Sequence, residues 1–274
     1  MASLDDKLAR LRTILLDLQS TVVAFSGGVD STFVLKAAVD ALGAANVIAA
    51  TGRSPSVPEL ELGEAQSLAK SVGASHVFLD TDEFTNDNYL SNPTNRCYFC
   101  KTTLYSHLRR LTDERGFKSI INGINADDLG DFRPGIDAAK ENRVGSPLAD
   151  AGLTKSEIRE ASRRLGLPTF DKPASPCLSS RVQYGERITP DKLRRIESAE
   201  RFLHEMGIRE CRVRHHDDIA RIEVAPQFLA LLAEPETAAR IDRNFRSLGY
   251  HYVTLDLRGF RSGSMNEVIP LGIR

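Results

Sequence analysis

The segment Ser26-Gly27-Gly28-Val29-Asp30-Ser31 constrains this chain more than any other stretch. Before it stands Thr21-Val22-Val23-Ala24-Phe25, a β-branched and apolar run with the pattern of a buried parallel strand. After it, Thr32 to Leu42 carries Phe33, Val34, Ala37, Ala38 and Ala41 at helical spacing, and Gly43 sits where a helix stop belongs. A strand, a glycine turn and a helix opening at Asp30 gather several backbone N–H groups around one concavity. The helix dipole adds positive potential there, so the turn suits an anion. Gly27 and Gly28 permit positive φ and let a phosphate approach without meeting a Cβ. Ser26 and Ser31 add hydroxyl donors.

The turn lacks the lysine of a Walker loop and the third glycine of a dinucleotide fingerprint. Around it, strand-like runs at Asn46–Ala50, Ser75–Leu79 and Ser119–Gly123 alternate with helical patterns at 58–72, 98–115 and 155–165, after a leucine-striped first helix from Leu4 to Leu18. This alternation predicts an α/β fold with a doubly wound parallel sheet, its ligands at the carboxyl ends of the strands. The segment 166–176 holds three prolines and breaks any helix, so the reading divides the chain into domains at 1–172 and 173–274. Beyond it, helices at 191–206 and 238–248 and strands at 210–214, 219–224 and 252–257 predict a smaller α+β domain. The 36 basic and 37 acidic residues nearly cancel, which argues against a general nucleic-acid or membrane binder. Without a signal-like amino terminus or a long apolar run, the expected location is the cytoplasm.

Four cysteines in a reducing compartment point to catalysis, metal binding or inert burial before disulfides. Cys97-Tyr98-Phe99-Cys100 falls at a helix start beside Arg96 and Lys101, and both features lower a thiol pKa. By itself the pair fits a redox dithiol, half a zinc site or chance. Cys177, in the proline-rich segment, adds a third thiol. Three cysteines without a matching fourth disfavour a Cys₄ zinc site, but three thiolates can hold three corners of a [4Fe–4S] cluster. Cys211, in a strand-like run, reads as a small buried hydrophobe. His215 and His216 are adjacent on a strand, point to opposite faces, and are left out of any shared metal site.

The phosphate turn is similar to that of the ATP pyrophosphatase (PP-loop) superfamily. With Asp131-Phe132-Arg133-Pro134-Gly135, the block Ala174 to Arg181, Arg212-Val213-Arg214, Asp218 to Glu223, Tyr252 to Asp256 and Gly259 to Gly263, the chain resembles more specifically the sulfur transferases that make the nickel-pincer nucleotide cofactor of lactate racemase. That resemblance implies adenylylation by ATP and Mg²⁺ of the carboxylates of pyridinium-biscarboxylate mononucleotide, followed by displacement of AMP by sulfur. It assigns ATP to Phe25, Ser26, Gly27, Gly28, Asp30, Ser31 and Gly123, and the mononucleotide phosphate to Ser180, Arg181, Arg212 and Arg214. Glu200 and Glu223 match acidic positions that can bind a divalent ion; for Glu200, on a helix among Arg194, Arg195 and Arg201, a solvated ion pair is the alternative. In one branch the linker cysteine, here Cys177, gives up its own sulfur. The added Cys97 and Cys100 resemble the branch in which three cysteines hold a [4Fe–4S] cluster carrying an extra sulfide. A homo-oligomer and a hand-off to a nickel-inserting enzyme also follow from the resemblance. Two rivals stand beside it. One is another enzyme of the superfamily, such as a tRNA thiolase, although no basic face or RNA-binding module is evident and no glutaminase domain fits for an amidotransferase. The other is a non-catalytic iron–sulfur or redox sensor of adenine nucleotide.

Overall fold

The computed structural model describes residues 2–130, 134–261 and 264–265. Of the stretches quoted above, 131–133 and 262–263 lie outside the described residues. In chain order the regular elements begin with α1 (Leu4–Asp17), β1 (Thr21–Ala24), α2 (Val29–Leu42), β2 (Val47–Arg53), α3 (Glu59–Ser71) and β3 (Ser75–Asp80). They continue through α4 (Asp87–Leu90), α5 (Arg96–Arg115), β4 (Ser119–Ile121), α6 (Pro134–Glu141), α7 (Pro147–Asp150) and α8 (Lys155–Arg164). The remainder are α9 (Pro190–Glu205), β5 (Cys211–His216), β6 (Ile219–Val224), α10 (Leu229–Ala233), α11 (Pro235–Ser247) and β7 (Tyr252–Leu255). They form two compact units, residues 1–86 with 95–175 and residues 87–94 with 176–274.

The first unit is a four-stranded parallel sheet in the order β3-β2-β1-β4. Strands β1, β2 and β4 are largely buried, the edge strand β3 is only partly so, and alternate residues enter different cores. Val23, Ala49 and Ile121 pack with Leu11, Phe33, Ala65 and Ile158 of α1, α2, α3 and α8. Their neighbours Val22, Ile48 and Ile120 pack with Tyr105, Leu108 and Ala138 of α5 and α6. That division makes the sheet doubly wound. Local signals set the helix ends: Ser3 and Asp6 form a capping box before α1, and Thr154 and Glu157 form another before α8. Helix α5 begins at Arg96, two residues earlier than the periodicity predicts, so both cysteines of the pair lie inside it.

The second unit is α+β. Strand β6 pairs antiparallel with β5 and parallel with β7. Its core joins Ala199 and Leu203 of α9, Cys211 and Val213 of β5, Ile222 and Val224 of β6, and Ile241 and Phe245 of α11. The short helix α4 belongs here: Tyr89 is buried with its hydroxyl 2.7 Å from Ser179 Oγ, and the Asn92 amide donates to the Gln183 carbonyl at 2.7 Å. No sequence pattern in 87–94 marks that membership, which depends on contacts with residues about ninety positions away.

Candidate active site

The chain leaves β1, turns at Gly27 with φ of +70°, and enters α2 with Gly28 as its cap. A side chain at Gly27 would also press on Ala65 of α3 at 3.3 Å. The two serines brace the turn from inside. Ser31 Oγ donates to the Gly28 carbonyl at 3.2 Å and accepts from the Ser26 amide at 3.3 Å, and the two hydroxyl oxygens are 3.1 Å apart. No side chain caps α2, so its first-turn amides are left for another acceptor, as at an anion site. Gly123, after β4, serves by its size. An added Cβ would lie 2.8 Å from the Ser31 nitrogen and 3.0 Å from the Asp30 carbonyl carbon. Phe25 is buried in the core at the end of β1, and its carbonyl accepts a hydrogen bond from Thr51 Oγ1 at 2.9 Å.

A cavity of about 400 Å³ opens over this turn, lined by Ser26, Gly28, Asp30, Glu61, Asn125, Asp127, Asp128 and the cations Lys155, Arg159 and Lys172. Asx turns shape the wall after β4: Asn125 Oδ1 accepts from the Asp127 amide at 2.9 Å, and Asp128 Oδ2 from the Asn125 amide at 3.1 Å. Asp127 Oδ2 then accepts the Lys155 amide at 2.8 Å. Lys155 Nζ reaches Asp30 Oδ2 at 2.5 Å, while Asp30 Oδ1 is buried with no hydrogen-bond partner. A carboxylate oxygen left over beside a phosphate turn fits Mg²⁺, a hard cation that takes one or two carboxylates together with substrate phosphates. A wider depression of about 580 Å³ lies along α11, but one helix alone forms it and it gathers no comparable chemistry.

In the second unit the matched arginines and glutamates form buried ion pairs. Arg181 Nε and one terminal nitrogen hold both oxygens of Glu200 at 3.0 Å; its other terminal nitrogen bonds Ser180 Oγ and the Cys177 carbonyl at 3.0 Å, and the Pro176 carbonyl. Glu200 also accepts the Val213 amide at 2.9 Å. Burial raises its carboxyl pKa, but Arg181 outweighs this and the net shift is downward. Arg214 holds Glu223 Oε2 at 2.7 and 3.0 Å and donates to the Ser180 carbonyl at 3.1 Å; Ser264 Oγ donates to Glu223 Oε1 at 2.8 Å. Arg212 stands directly across from Glu223 and lies over the Phe260 ring at 5.1 Å. Burial and the like charge of Arg181 push its pKa down.

Glu200 and Glu223 thus serve as arginine counter-ions, and among the described residues no group of three or more His, Cys, Asp or Glu side chains is set to hold a metal ion. Arg181, Arg212 and Arg214 are all buried here, and guanidiniums of this kind suit a phosphate. His215 and His216 do point apart, the first toward Tyr250 and the second toward Gln183 and Arg221.

The four cysteines form no disulfide. Cys97, exposed, and Cys100, half-buried, occupy the first two turns of α5 three residues apart, hence on one side of the helix. Cys177 is half-buried just before a 3₁₀ turn in the second unit. Cys97 and Cys100 belong to the first unit and Cys177 to the second, and among the described residues none of them is part of a group set to hold a metal ion. As accessible thiols, two of them beside a helix amino terminus, they have the donor chemistry that iron or sulfur would need. Cys211 is fully buried, and burial pushes its thiol pKa far above the ordinary value.

The profile of the NAD synthase family matches residues 10–93, the stretch that carries the phosphate turn. A protein of Lactiplantibacillus plantarum named pyridinium-3,5-bisthiocarboxylic acid mononucleotide synthase is 39% identical over 273 residues, 98% of this chain and 97% of its own length. The chain belongs to this synthase family. An uncharacterized protein of Synechocystis is 46% identical over 97% of the chain and 99% of its own length. An uncharacterized protein of Methanocaldococcus jannaschii is 28% identical over 88% of the chain and 90% of its own length.

The synthase-family reading missed the cavity cations. Lys155, Arg159 and Lys172 lie far from the turn in sequence, and only the capping box Thr154-Lys155-Ser156-Glu157 offered a local sign that Lys155 opens a helix at a strand-end cavity. Among the described residues no helix is long and apolar enough to cross a membrane.

Proposed function

We propose that this chain is an ATP-dependent sulfur transferase that converts the carboxylates of pyridinium-3,5-biscarboxylate mononucleotide into thiocarboxylates for a nickel-pincer nucleotide. The observation that carries the reading is the braced phosphate turn, with its uncapped helix amino terminus and orphaned Asp30 oxygen, in a chain that aligns end to end with a bisthiocarboxylate synthase.

A carboxylate oxygen attacks the α-phosphorus of ATP, the bond to the β-phosphate oxygen breaks, and pyrophosphate leaves. The turn amides and Lys155 stabilise the charge that develops on the leaving group. Asp30 Oδ1 would hold Mg²⁺, which supplies further charge neutralisation when bound. Sulfur then attacks the acyl carbon, AMP departs with the electron pair, and a thiocarboxylate remains. AMP is the better leaving group than oxide, which is the reason ATP is consumed. Arg212 and Arg214, with Ser180 and Arg181, anchor the mononucleotide phosphate. Cys97, Cys100 and Cys177 would hold a [4Fe–4S] cluster, which supplies the transferred sulfur when bound. Without it, the Cys177 thiolate can attack the acyl adenylate, and β-elimination of the resulting thioester leaves dehydroalanine at position 177. A homo-oligomer and a hand-off of the product to a nickel-inserting enzyme belong to the same reading.

The test is pyrophosphate release from Mg-ATP. Release that requires the biscarboxylate mononucleotide supports the reading. Release that instead requires bulk tRNA transfers the chain to the thiolases, and no release with any acceptor leaves it a nucleotide sensor. Anaerobic reconstitution with iron and sulfide separates the sulfur routes: iron and acid-labile sulfide lost in Cys97→Ala indicate the cluster, and dehydroalanine at 177 after turnover indicates the sacrificial route.

A further inference from the structure

Lys172 lies on the irregular segment after α8, within the first unit. Its ammonium donates to Glu64 Oε2 at 2.7 Å, Glu61 Oε2 at 3.0 Å and the Gly27 carbonyl at 3.3 Å, which uses all three of its donors. Glu61 and Glu64 stand three residues apart on α3 and so share a face. Arg159 fixes the backbone behind the lysine by donating to the Phe170 carbonyl at 2.8 Å and the Lys172 carbonyl at 3.0 Å. Burial pulls the ammonium pKa down, but Glu64 and Glu61 outweigh this and keep it above the ordinary lysine value, so the group is charged.

Two carboxylates on one ammonium leave a net negative charge at the edge of a cavity suited to phosphates. That arrangement opposes a polyanion unless the partners exchange. The exchange needs little movement. Nζ is already against Gly27, in the turn whose Ser26 and Gly28 line the cavity, and a lysine reaches different points by rotating its stem.

We propose that Lys172 is a phosphate-binding residue held in reserve by Glu61 and Glu64: the triphosphate draws its ammonium away from the glutamates, and it stays with the pyrophosphate as that group leaves. This rests on the ATP reading above and adds a residue and a competition to it. The two glutamates act against nucleotide binding, and their removal strengthens it. A lysine that only pinned the segment 170–175 to α3 would give the opposite sign, because loss of either partner would loosen the same structure.

The experiment is calorimetric titration of the full chain with Mg²⁺ and α,β-methylene-ATP, which cannot be split at the bond in question. Lys172→Gln is expected to weaken binding about 10- to 100-fold, the worth of a charged hydrogen bond to phosphate. Glu64→Gln and Glu61→Gln/Glu64→Gln are expected to tighten it by about two- to five-fold, the range of a partly exposed ion pair. Tightening cannot arise from a misfolded variant, so the glutamate arm decides even where Lys172→Gln is unstable. Wild-type affinity unchanged in Lys172→Gln, or weakened in the glutamate variants, overturns the inference alone. No binding by the wild type removes the ATP reading and this inference with it.

Discussion

Gly123→Ala isolates the closeness of the strand end to the phosphate turn. The new Cβ would stand 2.8 Å from the Ser31 nitrogen, 3.0 Å from the Asp30 carbonyl carbon and 3.1 Å from Ser31 Cα. Carbon atoms in contact rest about 3.5–4.0 Å apart, so the backbones must part by roughly 0.5–1 Å. The atoms in the way are main chain at the first turn of α2, and no flexible side chain can yield. Overpacking of this kind costs about 1–3 kcal/mol, set against a gain of about 0.4–1 kcal/mol from restricting the unfolded chain. A shift of that size also moves the turn amides out of hydrogen-bond range of a bound phosphate. Gly145→Ala is the control. Its added Cβ would meet Ile121 Cγ2 at 3.4 Å and the Ile120 carbonyl at 3.7 Å, which is ordinary contact. The expected result in urea unfolding and Mg-ATP titration is a net loss of about 1–2 kcal/mol and about tenfold in affinity for Gly123→Ala, with both values near wild type for Gly145→Ala. Equal behaviour of the two variants would refute the claim that Gly123 is needed for close approach.

Glu200→Ala should destabilise the second unit by about 3–5 kcal/mol in urea, because it leaves Arg181 buried without its counter-ion. The lowered carboxyl pKa of Glu200 gives stability that is present above its ordinary value of 4.5 and is lost as pH falls through the lowered one. The urea midpoint should therefore fall in acid, less steeply in Glu200→Gln than in wild type; equal slopes would contradict the pairing. Brief alkylation of the native protein, read by peptide mass spectrometry, should mark Cys97 and Cys177 and spare Cys211, whose thiol is buried and protonated. Early labelling of Cys211 would contradict its place in the core.

What the sequence disclosed was local. The strand, glycine turn and helix were legible because their signals lie within about twenty consecutive residues. The same holds for the capping boxes and for Arg212 and Arg214 sharing a face of β5. The cavity cations were not legible, because Lys155 and Lys172 reach Asp30 and Gly27 only through the winding of the sheet. Glu223 read as a metal-type carboxylate for the same reason: its pairing with Arg214 depends on the β5–β6 register, which single residues do not announce. The assignment of 87–94 to the second unit likewise depends on hydrogen bonds to 179–188.

The most direct test of the central claim is the mass of the mononucleotide after anaerobic incubation with Mg-ATP and iron- and sulfide-reconstituted protein. The account predicts sulfur in place of a carboxylate oxygen, with one AMP and one pyrophosphate formed per sulfur transferred. AMP and pyrophosphate formed while the mononucleotide keeps all its oxygens would contradict it.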